Sequence, residues 1–177
     1  MRNHVLMGLV GDLVHKFGRQ ASEQIIKLHY ERYRSNIRTK WEDHHEEFCN
    51  AWNGMVAVLV GSFTTAERHK YDNLNTEHQQ GGFRIVRSFA GAAAHRDEPD
   101  YPVARNSLAD RLAITPPGAR GVIQRLVEIG AIIPTQAYRA HTQSARHRWF
   151  CPIALKPLSE GQAAEVLQDN KHALQNL

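Results

Sequence analysis

Between residues 102 and 156 stand Arg105, Arg111, Arg120, Arg125, Arg139, Arg146, Arg148 and Lys156, against only Asp110 and Glu128. Residues 1–101 are balanced in charge, and residues 157–177 are slightly acidic. The whole net charge of +4 therefore comes from one 55-residue segment. Guanidinium groups donate several hydrogen bonds in a fixed plane and stay protonated, so such a segment suits a polyanion. A solvated basic face is the plainer alternative. Elsewhere the chemistry is thin. His44, His45 and Cys49 lie close enough to share a helix face, but a structural zinc site wants four ligands and no second pair is nearby. Asp97, Glu98 and Asp100 are acids in an expected loop and read as a solvated turn. The eleven histidines form no HExxH or HxH group. No GxxxxGK[ST] loop, dinucleotide fingerprint or Gly-x-Ser-x-Gly elbow is present. No catalytic constellation emerges, so neither an enzyme nor a cofactor is expected.

Bulk composition sets the frame. A chain of 177 residues with 42% hydrophobic and 23% charged residues can bury a core without staples. Two distant cysteines are no disulfide framework. No run approaches the roughly 18 apolar residues of a membrane span. The first residues have a short apolar run broken by Gly8, Gly11 and Asp12, which does not read as a signal peptide. A cytoplasmic protein without membrane partners is the expectation.

The elements that must position the arginines follow from periodicity. Ser22 is expected to cap a helix whose apolar positions include Ile25, Ile26, Leu28 and Tyr33. Trp41, His45, Phe48, Trp52, Met55 and Leu59 recur at steps of three and four, one face of a long helix. Thr64 with Glu67, and Thr76 with Gln79, are capping-box patterns. The second opens a helix through Phe83, Ile85, Val86 and Phe89 to about Ala94; Gly81 and Gly82 early in it are a weakness, and a start after them is the alternative. A polar turn, HRDEPD, precedes a short extended piece at 101–104. Ser107 and Asp110 would cap the helix SLADRLA. Thr115 and Pro116 open another, in which Ala119, Val122, Ile123, Leu126 and Val127 face inward, and Gly130 closes it with a left-handed cap. A strand begins at Ile132. The polar stretch YRAHTQSARHR leads to a second strand, WFCPIAL. Ser159 and Gln162 would cap a last helix carrying Val166, Leu167, Leu174 and Leu177. The fold class expected is mainly α with a small β-hairpin, organised as a helical region (1–80), a second unit (81–156) and a C-terminal helix (157–177).

The stretch PVARNSLADRLAITPPGARGVIQRLVEIGAI, followed by a basic hairpin, resembles the winged helix-turn-helix superfamily. Leu108, Ala109 and Leu112 match its first helix, Ile114–Thr115 its turn, and Ala119, Val122, Ile123 and Leu126 its second. The resemblance implies that the second helix enters the major groove of double-stranded DNA and that the hairpin loop, residues 138–148, lies along the backbone or enters the minor groove. It implies DNA contacts from Arg105, Ser107, Thr115, Gly118, Arg120, Gln124 and Arg125, and from Arg139, His141, Arg146 and Arg148 on the wing, where His147 adds potential charge. Arg120 and Gln124 are the base readers, for guanine and adenine. Gly118 and Gly121 leave room for close approach, and free amides at the helix start would attract phosphate. Backbone contacts should dominate affinity, with modest sequence preference.

LHYERYRSNIRTKWEDHHEEFCNAWNGM, with GGFRIVRSFAGAAAHR after it, is similar to the helical region beyond the catalytic core of phage- and plasmid-type replication primases. The polymerising acids of those enzymes have no counterpart here. This resemblance implies a non-enzymatic, primase-associated DNA-binding domain of phage, plasmid or prophage type, either stand-alone or a fragment, working with replication proteins. A homodimeric transcriptional regulator and a protein-interaction module on the same fold are the rival expectations.

Overall fold

A computed structural model of the chain describes residues 3–37, 39–139 and 145–151. Among them are seven helices: α1 (Asn3–Lys16), α2 (Arg19–Arg32), α3 (Trp41–Gly61), α4 (Thr65–Asp72), α5 (Glu77–Ala94), α6 (Arg105–Leu112) and α7 (Pro116–Glu128). Three short strands, β1 (Tyr101–Pro102), β2 (Ile132–Gln136) and β3 (Arg146–Trp149), form an antiparallel sheet in the order β1-β3-β2. The protein is thus mainly helical with a small sheet. His141, the end of the second expected strand and the helix expected at 157–177 lie outside the described residues.

The buried side chains form one cluster that runs from Leu6 to Trp149. Helix α5 crosses residue 81 without a break and packs on α1, α6, α7 and the sheet. Thr76 is its N-cap and accepts from the Gln79 N–H, as the sequence pattern predicts, and the alternative of a start after the glycines falls away: Gly81 and Gly82 are buried inside the helix. A Cβ at Gly82 would stand 2.4 Å from Val122 Cγ1, and one at Gly81 would stand 3.0 Å from Leu112 Cδ2. The glycines cost helix propensity, but they let α5 close on α7 and on Leu112 of α6. Tertiary packing overrides local preference here.

Aromatic contacts carry the core from helix to sheet. Phe83 meets Phe63 at 5.6 Å, Tyr71 at 5.6 Å and Trp149 at 5.0 Å between ring centroids. The capping box at Thr64 forms in both directions, and its acid does more than cap. Glu67 is buried and accepts hydrogen bonds from Arg87 of α5 (2.7 Å) and from the Trp149 indole of β3 (3.3 Å). Burial alone would push the Glu67 carboxyl up, but the bonds from Arg87 and Thr64 hold it below its ordinary value. One carboxylate therefore joins α4, α5 and β3.

Other expectations need adjusting. Ser22 is not a cap: Gly18 occupies that position, and the Ser22 hydroxyl donates back to the Gly18 carbonyl from within α2. Leu28 and Tyr33 are exposed, Leu28 to 65%. In α3 the buried stripe runs through His44, Phe48, Ala51, Trp52, Leu59 and Val60, so His44 rather than His45 faces inward. Ser107 does not cap α6 either. That helix begins two residues earlier, behind Ala104, which makes no side-chain cap. Strand β3 starts at Arg146, three residues before the apolar run that suggested it, and it also pairs with β1 through Tyr101 and Pro102. Pro134 sits in β2, an edge strand, where a missing donor is tolerated.

Candidate nucleic-acid interface

Helix α7 is built to seat one side and present the other. Ala119, Val122 and Leu126 are buried against the core, whereas Thr115, Pro116, Pro117, Gly118, Arg120, Gly121 and Gln124 are exposed. The Thr115 hydroxyl accepts from the Gly118 N–H at 3.3 Å, and Pro116 opens the helix as expected. One expectation is narrowed at this end. Pro116 and Pro117 have no N–H, and the Gly118 amide is already bonded to Thr115. Of the four amides left over at this helix start, only that of Thr115 has no bond among the described residues, so an anion there would meet that amide, the helix dipole and side chains.

Helices α6 and α7 each end on a left-handed residue. Ala113 (φ +55°) follows α6, with the Ile114 N–H on the Ala109 carbonyl at 3.0 Å. Gly130 (φ +65°) follows α7. Its N–H bonds the Val127 carbonyl at 2.9 Å, and the Ala131 N–H bonds Leu126 at 2.9 Å, a complete Schellman closure. Arg111 braces α6 from below. It donates to the Lys16 carbonyl at 2.9 Å and lies over the rings of Phe17 and Phe89.

The arginines divide into two groups. Arg105, Arg120, Arg139 and Arg148 are exposed and make no hydrogen bond or ion pair among the described residues. Ser107 is exposed beside Arg105 on α6. The others are engaged. Arg125 donates to the Asn73 carbonyl at 3.2 Å and pairs with Glu128 at 3.5 Å, and the Gln124 amide donates to Glu128 at 3.1 Å. Gln124 is exposed enough to change partner, but Arg125 is tied to the α4–α5 connection.

The wing differs most from expectation. Arg146 and Arg148 lie in β3 and not in a loop. The strand's alternation buries His147 and Trp149 and turns the arginines outward. Arg146 is bound to Asp100: its Nε donates to the carboxylate, and its Nη2 donates to the backbone carbonyl at 2.7 Å. Thr135 donates to the same carboxylate at 2.9 Å, and these bonds hold the Asp100 carboxyl below its ordinary value. Arg146 thus ties β3 to the segment leading into β1. Burial lowers the His147 pKa and its Nδ1 has no partner, so this ring is not part of a cationic wing. Of the wing set, Arg139 and Arg148 remain as outward cations, and His141 lies outside the described residues.

Two acids of the run are paired. Glu98 accepts from Arg96 at 2.9 and 3.2 Å, and Asp100 is taken by Arg146 and Thr135. Of the two histidines considered beside Cys49, His44 is buried against Tyr30, while His45 stands 3.8 Å from Cys49 Sγ. Glu23 of α2 completes a three-residue group with His45 and Cys49 that sequence reasoning missed. No helix among the described residues is long and apolar enough to cross a membrane. A scan against protein-family models and searches of curated proteins and solved structures return no match to this chain.

Proposed function

We propose that the chain is a non-enzymatic double-stranded DNA-binding protein of winged helix-turn-helix type, in which α7 is the recognition helix and the β2–β3 hairpin the wing. The observation that carries this reading is the exposed face of α7. It holds Arg120 and Gln124, has no acid before Glu128, and rests on a buried face of Ala119, Val122 and Leu126. Arg105 and Ser107 on α6, with Arg139 and Arg148 on the hairpin, supply the remaining phosphate contacts. Few base readers and several free guanidiniums mean backbone-dominated affinity. A replication role beside a primase, in a phage or plasmid setting, is the finer form of the proposal and rests on the sequence resemblance of the helical region.

The test is the double variant Arg120→Ala/Arg148→Ala in a salt titration with duplex DNA. Losing the Arg120 base contact and the Arg148 phosphate contact should lower affinity and flatten the slope of log affinity against log salt by about 0.9, at ~0.9 per phosphate contact. Unchanged affinity and slope would remove both residues from the interface. Arg146→Ala is a poor probe of the same question, because it releases Asp100 as well.

A further inference from the structure

We infer that Glu23, His45 and Cys49 form a binding site for one zinc-type divalent ion, with the fourth position left to water. His45 and Cys49 are one turn apart on α3, and Glu23 reaches them from α2, which packs against that helix. His45 Nε2 stands 3.8 Å from Cys49 Sγ and 3.8 Å from Glu23 Oε1, and all three ligand atoms lie within 4.8 Å of one another. A tetrahedral ion with a metal–sulfur bond of about 2.3 Å and metal–nitrogen and metal–oxygen bonds of about 2.0 Å separates its ligands by roughly 3.3–3.6 Å. The two separations from His45 need to shrink by a few tenths of an ångström, and that between Glu23 and Cys49, within 4.8 Å, by up to about 1.2 Å. The donor set of one thiolate, one imidazole and one carboxylate suits zinc or cobalt and disfavours magnesium and calcium.

A second observation points the same way. Arg19 already presents a cation to this group: its Nε donates to Glu23 at 3.1 Å and its Nη2 to Cys49 Sγ at 3.4 Å. The guanidinium meets two of the three ligands that an ion would take. Its side chain is 37% exposed and can leave for solvent when an ion arrives. Metal and Arg19 therefore compete, and the ion would pin α2 to α3 more firmly than the arginine does. The site is independent of the DNA-binding reading.

The test uses the full chain, reduced and stripped of metal, titrated with cobalt(II). The expected result is one equivalent bound with the visible bands of four-coordinate cobalt and a thiolate-to-cobalt charge-transfer band, all displaced by zinc. Cys49→Ser should abolish the charge-transfer band and Cys151→Ser should keep it. Glu23→Gln should weaken binding by more than about tenfold, since even the outer partners of metal ligands are worth that much. Arg19→Ala should tighten binding severalfold. It retains all three ligands, so it tests the site even if a ligand variant fails to fold. A six-coordinate spectrum, a charge-transfer band that survives Cys49→Ser, or equal or weaker binding in Arg19→Ala would overturn the site.

Discussion

Ala113 occupies the left-handed region that a Cβ disfavours, and it does so at the turn that aims α7. Ala113→Gly should therefore stabilise the fold by roughly 0.5–1 kcal/mol, read as a shift in the urea midpoint at constant slope. An unchanged or lower midpoint would mean that the Ala113 side chain contributes more packing than its backbone costs. At this scale the sequence was only partly legible. Thr115, Glu67 and Gly130 declare themselves, because cap and box patterns are local chemistry. Arg146 and Arg125 do not. Their partners, Asp100 and the Asn73 carbonyl, lie 46 and 52 residues away, and nothing in the basic stretch separates a guanidinium held inside the molecule from a free one. Glu23 is hidden for the same reason, since its place beside His45 and Cys49 comes from helix packing and not from spacing along the chain.

Helices α5 and α7 carry two glycines with opposite meanings. Gly82 is a contact: a Cβ there would press on Val122 at 2.4 Å. Gly82→Ala should destabilise by about 1–3 kcal/mol, as overpacking does, measured by urea unfolding. Gly121 is open, with nothing within 4 Å of where its Cβ would stand. Gly121→Ala should stabilise by up to about 1 kcal/mol through helix propensity alone. If DNA approaches the α7 backbone there, the same substitution should lower duplex affinity while raising stability, a combination that a merely structural glycine cannot give. Element order and the amphipathic pattern of α3, α5 and α7 were readable from periodicity. The start of α5 was readable at Thr76, although a helix rule penalises the very glycines that its partners require. The start of β3 was missed because its arginines look like loop, although alternation with His147 and Trp149 was there to be seen.

The molecule as a whole should weaken in mild acid. Burial lowers the pKa of His15, where Arg87 adds to the effect, and of His44 and His147. Each ring is neutral in the folded protein at a pH where the unfolded chain, near the ordinary value of about 6.5, already takes up a proton. The unfolded state then binds more protons, so stability falls as pH drops below about 6.5 and levels off only below the folded values. Glu67 adds a later loss: its carboxyl is held low, so its bonds to Arg87 and Trp149 persist until pH falls below the ordinary carboxylate range. Melting temperature measured from pH 8 to 4 should decline from about 6.5 downward, and His147→Phe should flatten the decline if its new ring is accommodated. A flat profile across pH 6.5–5 would show that these rings are not held neutral.

The localised charge is the feature that ties the scales together, and duplex binding is what the proposal draws from it. The measurement that bears on it most directly is fluorescence anisotropy of a labelled random-sequence duplex titrated across salt. Binding at micromolar concentration or tighter is expected. With Arg105, Arg139 and Arg148 each on a phosphate, log affinity should fall with log salt at a slope of about −2.7, at ~0.9 per contact. No binding at low salt, or binding indifferent to salt, would contradict the account and leave the basic segment as a solvated face.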